Sequence, residues 1–408
     1  MSDGQIARVR AAAEAAFGTD GTGTMGDFFG VRCDTMEFPP PVKRARLAVN
    51  PLRSFRTQES PEEFGFAHGQ ANVGGDLCSI GTPILDGVTT TKDGISKVFE
   101  KLLGGYRTGE GSAVASGASS TGITVSAGDG THFLDGQLIF VETAVASGLY
   151  VPTVVDVRST DGLTFLVALP FTPAVGARVA NTQMVFETDD PTGTLQWLVE
   201  YRDRDIIALY TGAIGDLSLT FELGGKVGWT SAQQFTLSMH DDELAGAQGG
   251  SPLAVYSHDS GTPVVARGGS VHFGPASATT RVTSEIAKIE VTPAVTWEFT
   301  LSHNGVEGRS GVTAMVGQPM ATVWVRAGTE TYKDAYAAGT AYRLLGAFGN
   351  TGGKQIALHL PNMQIVDIDA ELLNGRWYEK LTCKLLAADA FADQSTDVER
   401  SRLYLGRG

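Results

Sequence analysis

His240-Asp241-Asp242-Glu243 is the densest run of metal-competent side chains in the sequence. A tetrahedral site needs ligands that converge, and consecutive residues diverge; no second His or acid stands at helical spacing from them. The run reads as a solvated turn. The seven histidines are scattered singly, and no Gly-x-Ser-x-Gly elbow is present to expose a nucleophilic serine. A glycosidase pair of carboxylates takes its spacing from the fold alone, and the sequence marks out no such pair. Cys33, Cys78 and Cys383 are odd in number, far apart and without metal-ligand spacing, so they read as thiols of a chain folded in a reducing compartment. The expectation is a protein that is not an enzyme and carries no cofactor and no metal.

Charge is distributed unevenly. Between Glu187 and Asp259 twelve acidic residues stand against Arg202, Arg204 and Lys226, so nine of the chain's net −14 lie in under a fifth of its length. An acidic surface repels the phosphate backbone, which argues against sequence-specific DNA binding. The opposite bias occurs in Val42–Arg56, where Lys43, Arg44, Arg46, Arg53 and Arg56 meet no acid. Without interleaved aromatics this reads less as a phosphate site than as a basic segment facing an acidic neighbouring subunit. No run approaches the ~18 apolar residues of a membrane span, and no signal-peptide segment opens the chain, so the expectation is a cytoplasmically made protein with no membrane partner.

The elements that would position these residues are mostly strands. Glycine at 51 of 408 residues exceeds the roughly 7% norm, and charged residues at 19% fall below the roughly 25% norm, a composition that fits many turns and surface hidden in contacts. Ala-rich Gln5–Phe17 reads as a short helix. Asp93 reads as the N-cap of a helix with Ile95, Val98, Phe99, Leu102 and Leu103 on one stripe and Gly104-Gly105 at its end. Residues 108–122 form a Gly/Ser/Ala linker, and turn signals such as Gly128-Asp129-Gly130 and Asp161-Gly162 divide Ile123–Phe186 into short strands. Leu217, Leu219, Phe221 and Leu223 alternate in a hairpin that returns through Val227. Further strands are expected near Ile286–Val291, Ala294–Ser302, Thr313–Val316 and Ala321–Arg326, then a helix over Tyr332–Phe348. Two last strands flank the turn Asn374-Gly375.

This order of elements resembles the major tail tube proteins of long-tailed bacteriophages. The likeness rests on the helix from Asp93 to Leu103, the hairpin from Tyr210-Thr211-Gly212 through Phe235, and the C-terminal run containing Leu358-His359-Leu360-Pro361-Asn362-Met363-Gln364. The resemblance implies a mainly β chain: a tail-tube β-sandwich over 31–107 and 188–388 flanked by a helix, with a small outer β domain inserted at 108–187. Segments 1–30 and 389–408 would be terminal arms. It further implies six copies to a ring and rings stacked into a virion tail tube, assembled in the host cytoplasm and serving DNA ejection. Its partners would be further copies of itself, tail terminator and tail-tip proteins, and, in the lumen, the tape measure protein and the genome without sequence-specific binding. Asp216, Glu222, Glu290 and Glu298 are the expected lumen-facing carboxylates. Two alternatives are a distal tail or baseplate hub ring and, less supported, a carbohydrate-binding β protein using the 123–186 module.

Overall fold

Alternating burial builds this molecule, and the chain is mainly β. The computed structural model describes residues 6–13, 29–31, 33–38, 69–80, 93–188, 193–201, 206–235, 237–240, 263–266, 269–282, 285–306, 309–326, 331–387 and 396–408. The basic segment Lys43–Arg56 and residues 241–243 lie outside them.

The first layer is an antiparallel sheet of eight strands. Its spatial order is Thr35–Glu37, Gly69–Asp76, Val227–Phe235, Ser218–Glu222, Ile286–Thr292, Met320–Arg326, Arg376–Leu386 and the second half of Ile356–Leu373. One face of each strand is apolar and buried: Val73, Trp229, Leu219, Phe221, Ile289, Val323, Leu381 and Cys383 all point into the main core. Period-2 spacing places the intervening polar residues on the opposite face. Asn374 (φ 50) and Gly375 (φ 76) form the left-handed turn that the closing hairpin requires.

The second layer is a six-stranded sheet ordered Val271–Pro275, Ala341–Phe348, the first half of Ile356–Leu373, Tyr404–Arg407, Gln183–Glu187 and Gly104–Arg107. It is buried on both sides. Leu344, Leu358, Leu360 and Leu405 face the main core, whereas Leu345, Ala347, Ala357 and Tyr404 face a second core on the other side. That second core is shared with the third layer, a closed six-stranded barrel whose strands lie between Gly111 and Asn181. The order through the molecule is therefore first sheet, main core, middle sheet, second core and barrel. A further set of strands, Phe29–Gly30, Ile6–Ala13, Leu195–Tyr201, Ile206–Gly215 and Leu237–His240, joins the first sheet where Ile206–Gly215 bends onto Val227–Phe235.

The helix Gly94–Leu103 closes one end. Asp93 caps it, accepting a hydrogen bond from the Ser96 backbone N–H at 3.0 Å, and Ile95, Val98, Phe99, Leu102 and Leu103 are buried. Phe99 meets Trp229 edge to face at 5.5 Å, which fixes the helix on the first sheet.

Three expectations are corrected. Ile6–Ala13 is a strand paired with Leu195–Tyr201, so the alanine-rich helix over Gln5–Phe17 does not form there; pairing outweighs a weak helical propensity. The helix expected over Tyr332–Phe348 covers only Thr331–Ala338, and Ala341–Phe348 is a strand of the middle sheet. A strand buried on both faces is apolar at successive positions, a pattern that cannot be told from a helix by period. The end of the chain is not an arm within its described residues. Tyr404–Arg407 is inserted between Gln183–Glu187 and Ile356–Leu373, where it supplies backbone hydrogen bonds on both edges. Thr396 and Glu399 form a reciprocal capping box on the short helix Asp397–Arg400 just before it.

Candidate functional site

Among the described residues, the polar face of the first sheet is a broad open surface. Strand register places Asp76, Gly228, Thr220, Glu290, Thr322, Thr382 and Asp367 in one row across it. The adjacent row runs Glu222, Lys288, Trp324, Lys380 and Asp369. Trp324 is buried at the centre because Lys288 and Lys380 lie over its ring, at 4.9 and 5.6 Å from the centroid. Its indole N–H donates to Glu371 Oε2 at 2.9 Å.

Charges on this face are of both signs rather than uniformly negative, and most of its cations are paired, Lys384 being one that is not among the described residues. Lys288 pairs with Glu290 at 2.6 Å, Lys380 with Glu371 at 3.8 Å, Arg326 with Glu285 at 2.7 Å, and Lys226 with Asp76. These pairs are partly to fully solvent-exposed, where screening leaves little net stabilisation. Their main effect is to leave a hydrated surface of hydroxyls and closed ion pairs with few cations available to a polyanion.

The four expected carboxylates do not form one group. Glu222 is exposed and Glu290 half-buried on this face, in neighbouring rows. Asp216 is exposed at the turn before Ser218–Glu222, where its Oδ1 accepts from the Ala232 N–H at 2.6 Å. That bond makes it a turn-forming residue. Glu298 lies on a separate two-stranded ribbon, Val295–Val306 with Arg309–Val316, opposite Thr313. The Trp297 indole anchors that ribbon by donating to the Gly215 carbonyl at 2.8 Å. The acid-rich stretch from Glu187 is likewise not one surface: Glu187 is 2% exposed and takes a two-pronged bond from Arg402, with contacts of 3.0 and 2.6 Å.

Sequence reasoning missed the threonine row and the Lys–Trp–Lys stack. Both stand at the outward positions of strands whose alternation was legible, so counting those positions across paired strands would have found them. The register that brings them together spans residues 76 to 382 and is not written locally. The aromatics of the 123–186 module, weighed as a glycan platform, serve packing instead: Phe133, Phe140, Tyr150, Phe165 and, on the middle sheet, Phe186 are buried, and Phe171 is half-buried against the barrel's core.

Among the described residues no three His, Cys, Asp or Glu side chains converge as a metal site, and no helix is long and apolar enough to cross a membrane. Compared with known proteins, the sequence matches no protein-family model and no curated protein.

Proposed function

We propose that the chain is a structural protein of a phage tail, whose copies join into six-membered rings that stack as a tube around passing DNA. The observation that carries this reading is the open polar face of the eight-stranded sheet, with most of its cations paired, together with an edge of that sheet left without a partner. Among the described residues, the pairing of Ile356–Leu373 with Ala341–Phe348 stops at Gln364, and Val366–Leu373 has a strand partner only in Arg376–Leu386. An unpaired edge of this length is a template for another chain. Head-to-tail addition of copies closes a ring when the rotation permits. In such a ring the polar faces turn inward, and the order of layers then puts the barrel outermost.

A hydrated lining with most of its cations already paired lets duplex DNA slide, because each phosphate contact to a free Lys or Arg would add salt-dependent binding. The double variant Glu222→Lys/Glu290→Lys reverses this at two positions facing the same space. Glu222 is exposed, and Glu290→Lys gives up only the partly screened pair with Lys288, so the variant should fold. Assembled variant particles are expected to retain duplex DNA at low salt and release it as salt rises, while unmodified particles retain none. Equal DNA retention by the two, measured by co-sedimentation across a salt series, would contradict the assignment of this face to the lumen.

A further inference from the structure

The seam between the middle sheet and the barrel contains two histidines that no binding role explains. His272 on Val271–Pro275 and His359 on Ile356–Leu373 lie in one cross-strand row through Leu345, and both are 0% exposed. His272 Nδ1 accepts a hydrogen bond from the Val282 backbone N–H at 2.8 Å. An imidazolium carries hydrogen on both ring nitrogens, so this bond exists only with neutral His272 protonated at Nε2. His359 stacks on Tyr404 with ring centroids 5.1 Å apart, and neither of its ring nitrogens has a hydrogen-bond partner among the described residues.

The surroundings oppose a positive charge. Arg343, 3% exposed, stands on the same strand as Leu345 and acts on both histidines. Arg281 also faces His272, while its guanidinium bridges the seam, donating to Ser270 Oγ and to the Pro152 carbonyl of the barrel, both at 2.6 Å. The barrel contributes one acid here, Asp156, which faces Arg343. From the chain's end come Tyr404 and, behind it, Glu399. Protonating both imidazoles would set four cationic side chains against Asp156 in a dry layer, and would break the bond from Val282.

We propose that this seam is an acid-sensitive latch: with His272 and His359 neutral the barrel is locked to the middle sheet, and their protonation in mild acid opens the seam while the first sheet stays intact. Burial first, and then Arg281 and Arg343, lower the His272 pKa to about 4; burial, Arg343 and His272 hold His359 well below the ordinary imidazole value. A histidine depressed in the closed state takes up its proton on opening, so closure is fully supported above about pH 6.5 and loses support as pH falls toward 4. For His272 alone this predicts an opening constant about twentyfold larger at pH 5 than at pH 7.

The latch stands on the seam and not on the tube reading, and hydrogen–deuterium exchange of the full chain at pH 7 and pH 5, corrected for intrinsic rates, tests it. Peptides from Tyr150–Ser159, Val271–Pro275 and Ala341–Phe348 should exchange at least about twentyfold faster at pH 5, with Arg376–Leu386 unchanged. The double variant His272→Asn/His359→Phe, which keeps an acceptor for Val282 and a ring on Tyr404, should lose the pH dependence. Unchanged seam protection at pH 5, or loosening of Arg376–Leu386 to the same extent, would overturn the proposal. Ring titration by NMR in the unmodified protein gives a second decision that needs no variant: both histidines titrating near 6.5 with the seam closed would also overturn it.

Discussion

Replacing Arg407 with alanine is expected to cost about 3–5 kcal/mol of folding stability, as removing one partner of a buried ion pair does. Arg407 lies on the middle sheet, its guanidinium is 3% exposed, and it gathers the backbone after Gly69–Asp76 and the start of the helix. Its Nε donates to the Cys78 carbonyl at 2.8 Å, Nη2 to the Ser79 carbonyl at 3.2 Å, and Nη1 to Asp93 and to Ser96 Oγ. Asp93 is also the cap of Gly94–Leu103, so one carboxylate orients the helix and neutralises the Arg407 guanidinium. Burial raises the Asp93 pKa, but the Arg407 charge and the bonds from Ser96 outweigh it and hold the carboxyl below its ordinary value. A depressed carboxyl adds stability at neutral pH that is lost as pH falls through its folded-state pKa. In Arg407→Ala that contribution vanishes and an uncompensated carboxylate remains. Urea unfolding at pH 7 measures the loss, and Asp93→Asn in the same background should recover part of it because the two changes act on one interaction. A loss below about 1 kcal/mol would show that the terminus is dispensable.

A comparable loss, about 3–5 kcal/mol, is expected for Trp229→Ala. Trp229 is 2% exposed, on the apolar side of the first sheet, and Phe99 of the helix rests its edge against it. Truncation removes a large apolar area and leaves a cavity beneath the helix that the surrounding strands cannot fill, since they are held by their own ladders. The indole N–H has no hydrogen-bond partner among the described residues, so Trp229→Phe should cost much less, about 1–2 kcal/mol. The pair separates packing from polarity. Equal effects of the two substitutions in urea melts would mean that the ring's volume is not what seats the helix.

The parts of the fold that were legible in the sequence are those where the chain signals locally. Asp93 with its apolar stripe, the alternation of Leu217, Leu219 and Phe221, and the Asn374-Gly375 turn each specify their element within a few residues. Turn pairs such as Asp161-Gly162 marked the module that closes as the barrel, where Asp161 accepts from the Gly128 and Gly130 N–H groups. Parts of the middle sheet were hidden for a physical reason: a strand covered on both faces has no polar side to set a period. Ala341–Phe348 therefore read as a helix, and Tyr404–Arg407 read as an arm because its partners at Gln183–Glu187 and Ile356–Leu373 are far away in sequence. The polar face of the first sheet fell between these cases. Its strands were legible, but the rows that join Thr220 to Thr382 depend on register, and the pairing of Lys288 with Glu290 turns an expected acidic lining into a balanced one.

Negative-stain electron microscopy of the purified chain, concentrated and dialysed to low salt, tests the ring-and-tube reading most directly. Stacked six-fold rings or hollow tubes, with the barrel as a peripheral knob on each subunit, are the expected result. A chain that stays monomeric under these conditions, including after addition of preformed tail-tip assemblies as a template, would contradict it.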